Sequence, residues 1–378
     1  MQGHPLTPKR ILIACGGTGG HFYPGYALAE ALRERGWETL FLLRREDPAA
    51  ACLKREDLPF VETDLRGMPR RAPWQWPGFL LRVSSSLRFI RNVLIDWRPC
   101  RVAGMGGYLT FPAVLAAWRC AVPSLIHESN ALLGLANRAC LPFVSKALLG
   151  LPLAAIPRWP AKVRYQLTGT PIRKSLWRFP EKSAARRELG LEPDKPTLLV
   201  FGGSQGARAI NRLAPQALAE LAGKRPEGLQ CLHLSGRHDE SEVRAAYAGL
   251  PLRSVVRTYQ EEMGLAYAAA DLALCRAGAS TLAEIVAARK PAVFIPYPYS
   301  ASKHQNANAE ALVRIGAARS LPEAGLVPGK LAAILEDLIC SESSQATLEA
   351  MSGGYARLAL PTPAETLDAM VEAVEGLA

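Results

Sequence analysis

The residues that could do chemistry fall in a few short strings, each placed where a run of apolar residues ends. The first is Gly16-Gly17-Thr18-Gly19-Gly20-His21, which follows RILIAC and precedes a helical pattern. Glycines at such a passage let backbone N–H groups point at an anion near the positive end of the helix. The spacing is neither that of a dinucleotide fingerprint nor that of a P-loop, so a tight turn without a ligand would explain this string alone. Gly202-Gly203-Ser204-Gln205-Gly206-Ala207 repeats the arrangement in the second half, and Gly104-Met105-Gly106-Gly107-Tyr108 supplies a third glycine-rich strand end. Three such turns favour ligand binding, because ligands of open parallel sheets sit outside the carboxyl ends of the strands.

Polar residues gather at the same ends. His21 stands directly behind the first turn, Tyr108 behind the third, and His127, Glu128 and Asn130 follow PSLI. Singly, each reads as a loop residue satisfying its own backbone; together, at strand ends, they read as a site. In the second half, CRAGASTLAEI places Arg276 at a strand end, Ser280 or Thr281 as a helix N-cap and Glu284 in the first helical turn, where a carboxylate also meets the helix dipole. PYPYSASKHQNANAEAL brings His304, Gln305 and Asn308 to another strand-to-helix passage. Amides there bind hydroxyls or cap the helix.

The elements that must position these residues are legible as short apolar runs alternating with longer amphipathic ones, the pattern of parallel strands joined by crossover helices. RILIACGG, TLFLL, PFVET, RVAGM, PSLIHE and KALLGL are strand candidates in the first half, with YALAEALRERG as a helix. The pattern restarts at TLLVFGG, followed by the helix GARAINRLAPQALAELAG and the strand candidates CLHLSG, SVVRTY, LALCRAG and PAVFIP. A Pro- and Arg-rich segment, residues 156–182, reads as the linker. The tail PTPAETLDAMVEAVEGLA reads as a terminal helix.

With 378 residues, 49% of them hydrophobic, the chain fits two globular domains of ~150 to 200 residues. No signal peptide or membrane-spanning helix is expected, since no apolar run approaches the ~20 residues a span needs. Eight cysteines without a CxxC pair suit buried thiols in a reducing compartment rather than a disulfide framework or zinc site. The net charge of +11 lies wholly in residues 1–172, where 22 Lys and Arg face 11 Asp and Glu. No zinc-finger, helix-turn-helix or RNP pattern accompanies it, so nucleic acid is not the expected partner. The excess concentrates near RRAPWQWPGFLLRVSSSLRFIR, where Arg70, Arg71, Arg82, Arg88 and Arg91 interleave with Trp74, Trp76, Phe79, Leu80 and Leu81 without an acid. That mixture suits an anionic membrane surface, or else an ordinary core face with a solvated basic rim.

The strings GGTGGHFYPGYALAEAL, GMGGYLTFP, HESNALLGLANR, TGTPIR, GGSQGAR, YAAADLALCRAGASTLAEI and HQNANA occur in this order between about residues 10 and 312. As a set they resemble the MurG family of N-acetylglucosamine transferases. The resemblance implies an α/β architecture of the GT-B fold, two Rossmann-like parallel-sheet domains facing across a cleft. Residues 1–165 would form the acceptor domain, for lipid I (undecaprenyl-pyrophosphoryl-muramoyl-pentapeptide), and the membrane-associating domain. Residues 166–362 would form the UDP-N-acetylglucosamine domain, with 363–378 a terminal helix able to pack back on the first. Gly17, Thr18, Gly19, Gly20, His21, Tyr108, Glu128 and Asn130 fall by motif on the acceptor side. Arg173, Ser204, Gln205, Gly206, Asn211, Arg276, Ser280, Thr281, Glu284, His304 and Gln305 fall on the donor side, Glu284 toward the ribose hydroxyls and the Ser204 loop toward the diphosphate. Ser129 and Thr170 depart from the family's usual Gln and Asn, and His304 stands where some members have Gln.

On that resemblance the C4 hydroxyl of the muramoyl sugar attacks C1 of the donor sugar, displacing UDP with inversion and yielding lipid II. Backbone N–H groups with Arg173 or Arg276 would stabilise the departing diphosphate. The sequence has no Asp-x-Asp string, and no metal or cofactor is expected. The hydroxyl needs a base with a pKa near neutrality; His21 is the first candidate and Glu128 the second. The expected place is the cytoplasmic face of the membrane, as a peripheral protein. The rival readings are another GT-B sugar-nucleotide enzyme, either a UDP-sugar glycosyltransferase or a UDP-N-acetylglucosamine 2-epimerase, and a two-Rossmann NAD-dependent oxidoreductase, whose GxGxxG spacing the first turn lacks.

Overall fold

The computed structural model describes residues 8–17, 19–65, 67, 69, 73–155, 159–161, 163–203, 206–224, 228–300 and 303–377. The chain forms two compact units, Met1–Arg173 with Leu360–Ala378, and Lys174–Ala359. Each is built on one parallel sheet. In the first unit β1 (Arg10–Ala14), β2 (Glu38–Arg44), β3 (Phe60–Thr63), β4 (Arg101–Gly104), β5 (Ser124–Glu128), β6 (Lys146–Leu149) and β7 (Arg164–Leu167) lie in the order β3-β2-β1-β4-β5-β6-β7. In the second, β8 (Thr197–Phe201), β9 (Gln230–Leu234), β10 (Arg253–Arg257), β11 (Leu272–Cys275), β12 (Ala292–Phe294) and β13 (Ala318–Ser320) lie in the order β10-β9-β8-β11-β12-β13.

Central strands covered by helices on both faces become continuous apolar runs, which is why β1 and β8 are so plain in the sequence. Ile11, Leu12, Ile13 and Ala14 are buried without exception, as are Leu198, Leu199 and Val200. The edges behave differently. β7, sequence RYQL, has three exposed residues and sits inside the segment read as a linker. An edge strand shows a face to water, so no apolar run marks it. The three-residue β13 escaped the sequence pattern for the same reason.

Each order reverses once, between β1 and β4 in the first sheet and between β8 and β11 in the second. Ala14 is in register with Gly104, and Phe201 with Cys275. The pairs of glycine-bearing strand ends are therefore neighbours at the switch points, where the crossover helices part to opposite faces and leave a crevice.

The terminal helix Pro363–Glu375 belongs to the first unit. Thr362 and Glu365 form a reciprocal capping box at its start, worth about 1 kcal/mol. Met370, Val371 and Val374 bury their side chains in the core that β1, β2 and the helix Gly19–Glu34 build, at about 1.5 to 3 kcal/mol each before entropy. That hydrophobic term dominates. Among the described residues all eight cysteines are unpaired thiols, and no helix is long and apolar enough to cross a membrane.

Candidate functional site

At the switch point of the first sheet, β1 runs into Gly16 and Gly17 and the helix Gly19–Glu34 begins directly behind them. The sequence reading started this helix at Tyr26; it begins at Gly19 and runs through Pro24 and Gly25. Gly17 adopts a φ of 100°, and its N–H donates to Oδ2 of Asp47 at 2.6 Å. The anion meeting this glycine turn is thus a side chain of the protein. Asp47 follows β2, is buried, also accepts from the Ala49 amide and has the Arg44 guanidinium 3.4 Å away. Thr18 lies outside the described residues.

His21 stands in the first turn of that helix with Nδ1 3.1 Å from the Met105 carbonyl. A carbonyl only accepts, so Nδ1 carries the proton and the neutral ring has its lone pair on Nε2. The GMGG turn exists in part to admit this ring. A Cβ on Gly106 would lie 2.8 Å from His21 Nδ1 and one on Gly107 3.0 Å from Cδ2, and both residues have positive φ. Tyr108 packs against Gly17; burial first, and then the Asp47 charge, push its hydroxyl pKa up while Arg44 pulls it down.

Glu128 ends β5. Its Oε1 accepts from the backbone and side-chain amides of Asn130 at 3.0 and 2.8 Å. Its Oε2 accepts from Gly134 N at 2.8 Å and Asn137 Nδ2 at 2.9 Å. Four donors fill the usual capacity of a carboxylate. In this geometry Glu128 shapes the loop from 128 to 137. His127 is fully buried between the Gly169 carbonyl, 3.1 Å from Nε2, and Ser129 Oγ, 3.2 Å from Nδ1. Burial lowers its pKa to about 4, against the Gly169 bond and the Glu128 charge. It is a structural histidine.

In the second unit β8 ends in Gly202 and Gly203, and Gly206 closes the turn with a φ of 75°. A Cβ at Gly206 would approach the Ser235 carbonyl to 2.3 Å, so the turn leans on the loop after β9. Ser204 and Gln205 lie outside the described residues. Asn211 lies in the helix Arg208–Lys224 and is buried, with its amide spent inside the unit on Ser235, Asp239 and His233.

At the end of β11, Arg276 donates to the Ile295 carbonyl at 2.9 Å, lies 2.5 Å from Glu323 and covers the Tyr297 ring. Its charge is balanced within the unit. The next helix, Ala279–Ala287, has Gly278 as its N-cap with no side-chain cap bond. This corrects the sequence reading. Ser280 and Thr281 are the second and third helical residues, and Glu284 lies in the second turn instead of the first. Extended backbone at Gly278 starts the helix two residues before a hydroxyl-based cap would. Glu284 accepts from the Tyr267 hydroxyl at 2.8 Å. Gln305, second in the helix His304–Arg314, accepts from Tyr297 N at 2.9 Å, while Asn308 donates to the Ala277 carbonyl at 3.0 Å. His304 Nδ1 is buried with no hydrogen-bond partner among the described atoms. Arg173 ends the first unit, its guanidinium 5.0 Å from the centre of the Tyr23 ring.

The helix Trp76–Trp97 of the first unit turns Ile90 and Leu94 into the core, and Phe79, Val83 and Leu87 pack with them. Phe79, read from sequence as a surface residue, is therefore half-buried on the inner face. The outer face carries Trp76 and Leu80, 48% and 60% exposed, with Leu81 at 73% and Trp74 just before the helix at 76%. Arg82, Arg88 and Arg91 are exposed beside them. Arg70 and Arg71 lie outside the described residues.

Two open parallel sheets, each with a glycine turn at its switch point, together with similarity to known proteins, place the chain in the two-sheet GT-B class of glycosyltransferases. The crystal structure of Acinetobacter baumannii MurG matches with a TM-score of 0.78 at 28% identity, covering 98% of this chain and 100% of that one. A kitacinnamycin glycotransferase, 18% identical with a TM-score of 0.68, shares the fold. Residues 11–149 match the glycosyltransferase family 28 N-terminal domain and residues 197–359 its C-terminal domain. A relative from Elusimicrobium minutum (strain Pei191) is 35% identical over 98% of this chain and 100% of its own length. One from Halorhodospira halophila (strain DSM 244 / SL1) is 39% identical over 93% and 95%. Both are named UDP-N-acetylglucosamine--N-acetylmuramyl-(pentapeptide) pyrophosphoryl-undecaprenol N-acetylglucosamine transferase. The chain belongs to glycosyltransferase family 28 and, within it, to the MurG family.

The residues that sequence reasoning missed are Asp47, Tyr267, His233 and Tyr247. Asp47 sits in the charged string RREDP and looks like a solvated loop; the others stand in apolar runs and look like core.

Proposed function

We propose that this chain transfers N-acetylglucosamine from UDP-N-acetylglucosamine to the C4 hydroxyl of the muramoyl sugar of lipid I, with inversion, giving lipid II for peptidoglycan synthesis. The observation that carries the reading is near-full-length similarity to relatives bearing one transferase name, on a chain that keeps a glycine turn and its polar cluster at both switch points. UDP-N-acetylglucosamine is the donor substrate, and no cofactor takes part.

In this reading the second unit takes the donor. The uncapped N–H groups from Ala279 to Thr281 lie where a helix end favours an anion, and Glu284 serves the ribose hydroxyls. The first unit takes the acceptor, and His21 Nε2 removes the hydroxyl proton. The outer face of the helix Trp76–Trp97 rests on the cytoplasmic leaflet. Its tryptophans and leucines enter the headgroup region while each arginine near anionic lipid adds ~1 kcal/mol. A polyprenyl-linked acceptor stays in the bilayer, so an enzyme that meets its head group there gains from docking.

Radiolabelled sugar transfer to a lipid I analogue tests the reaction directly. Label that stays in the donor, in protein that binds UDP, would reduce the chain to a sugar-nucleotide-binding protein. For docking, co-sedimentation with anionic vesicles should be strong, should weaken with salt because exposed charges are screened over ~10 Å at 0.1 M, and should drop when Arg82, Arg88 and Arg91 become Gln. Indifference to lipid charge and to these substitutions would remove the membrane from the proposal.

A further inference from the structure

Behind the second glycine turn runs a buried chain of polar side chains. Cys231 and His233 lie on the same face of β9, Tyr247 ends the helix Glu240–Tyr247, and Asn211 faces them from the helix Arg208–Lys224. All four are at most 4% exposed. Burying so many polar groups costs free energy that an all-apolar packing would avoid.

The direction of every bond follows from chemistry. Asn211 Nδ2 donates to the Ser235 carbonyl at 2.7 Å and to Asp239 Oδ2 at 2.8 Å. Both partners only accept, which fixes the orientation of the amide and turns Oδ1 toward His233 Nε2, 3.1 Å away. Because that oxygen also only accepts, Nε2 carries the proton. Burial pushes the His233 pKa down to about 3, so the ring is neutral and its Nδ1 accepts from the Tyr247 hydroxyl at 3.0 Å. Cys231 Sγ, 3.5 Å from the same hydroxyl, completes the chain as its outer donor.

The chain ends under the turn. The Ser235 carbonyl that Asn211 holds is the one on which Gly206 packs with no room for a Cβ. The following amide, Gly236 N, is fixed on the Thr258 carbonyl at 3.0 Å. Asp239, the other partner of Asn211, lies 3.8 Å from Arg208, the first residue of the helix that the turn opens. Asn211 thus touches both the carbonyl on which Gly206 packs and the carboxylate beside the first residue of the helix.

We propose that His233, acting through Asn211, is a positioning residue for donor binding: it holds the Ser235–Gly236 backbone against Gly206 and Asp239 beside Arg208, and so sets where the start of the helix Arg208–Lys224 stands toward the diphosphate of a UDP-sugar. The inference rests on the reading of the second unit as the donor unit. Preorganised donors contribute only when they are aimed before the ligand arrives, so loss of the support should appear in donor affinity.

The test compares His233→Phe, His233→Gln and Tyr247→Phe in the full-length chain, by UDP titration calorimetry and steady-state transfer kinetics. His233→Phe should raise both the UDP Kd and the KM for UDP-N-acetylglucosamine about five- to tenfold, the loss of one net hydrogen bond. The kcat and the KM for a lipid I analogue should stay within about twofold of the parent. His233→Gln keeps an N–H for Asn211 and should recover most of the loss. Tyr247→Phe releases only Nδ1 and should cost about two- to threefold; it carries the test should His233→Phe not fold. A merely structural role would lower the Tm and the binding stoichiometry while the remaining active protein kept its Kd and KM, and that result overturns the proposal. Parent protein that binds no UDP would instead overturn the reading of the second unit.

Discussion

In the first unit the amide of Gly17 is taken by a carboxylate, Asp47, at 2.6 Å, whereas in the second unit the glycine turn leans on a backbone carbonyl, that of Ser235, which the Asn211 amide holds from behind. The two turns look alike in sequence. An anion site needs N–H groups with nothing better to bind and a positive local potential. Asp47 fills one such group and adds a buried negative charge, so a diphosphate at the first turn would have to displace or outcompete it. At the second turn the Gly206 amide is spent on the Gly203 carbonyl and the nearby Asp239 charge is balanced by Arg208, so among the described residues no carboxylate takes an amide of the turn. The difference supports a division in which the nucleotide diphosphate belongs to the second unit and the first uses its turn to aim His21.

The largest expected effect is on His21. If the first turn serves proton removal, His21→Ala should lower kcat by ~10²- to 10⁴-fold with UDP affinity unchanged. Near-normal turnover in a folded variant would move the base elsewhere and dissolve the contrast between the turns.

Among the described residues each unit also holds one buried histidine, so acid should weaken both together. The folded values of about 4 for His127 and about 3 for His233 lie below the ordinary 6.5. Between pH 6.5 and 4 the unfolded chain therefore binds protons that the native one does not. Stability falls as the pH falls through that window, by up to about 1.4 kcal/mol per pH unit for each histidine, and these two residues contribute no slope above it. Urea unfolding at pH 7 and pH 5 reads this directly. His233→Gln should remove the share of the second unit alone, and an unaltered pH slope in that variant would count against a neutral His233.

Glu284 comes next. Its replacement by Ala should weaken UDP binding by about 1.5 to 3 kcal/mol, the worth of a hydrogen bond to a charged group. Equal UDP affinity in calorimetry would separate the second turn from nucleotide recognition. The smallest effect is at Asp47. Asp47→Asn keeps an acceptor for Gly17 and should cost about 1 kcal/mol or less, while Asp47→Ala leaves a buried amide without a partner and should cost about 1 to 3 kcal/mol. Equal losses in denaturant unfolding would show that the charge, and not the hydrogen bond, holds the first turn.

The sequence by itself determined the two-sheet architecture and the strings that form the site. Buried parallel strands must be continuous apolar runs, and a strand that turns sharply into a helix must spend glycines, so both leave marks on neighbouring residues. β1, β4, β8 and β11 were legible for that reason, and so was the terminal helix through its Pro-Thr-Pro start and apolar spacing. Tertiary structure decided the rest, because its causes are distant in the chain. β7 and β13 were hidden because these two edge strands are mostly exposed and carry no apolar run, unlike the edges β3 and β10, and the start of the helix at Gly278 was hidden because a glycine caps it. The partners of the site residues could not be read at all. Asp47 meets Gly17 across 30 positions, Asn211 meets His233 across 22, and His21 meets Met105 across 84. A hydrogen bond closed over such a loop is chosen by the packing of strands and helices between its ends, and no local pattern of residue types records it.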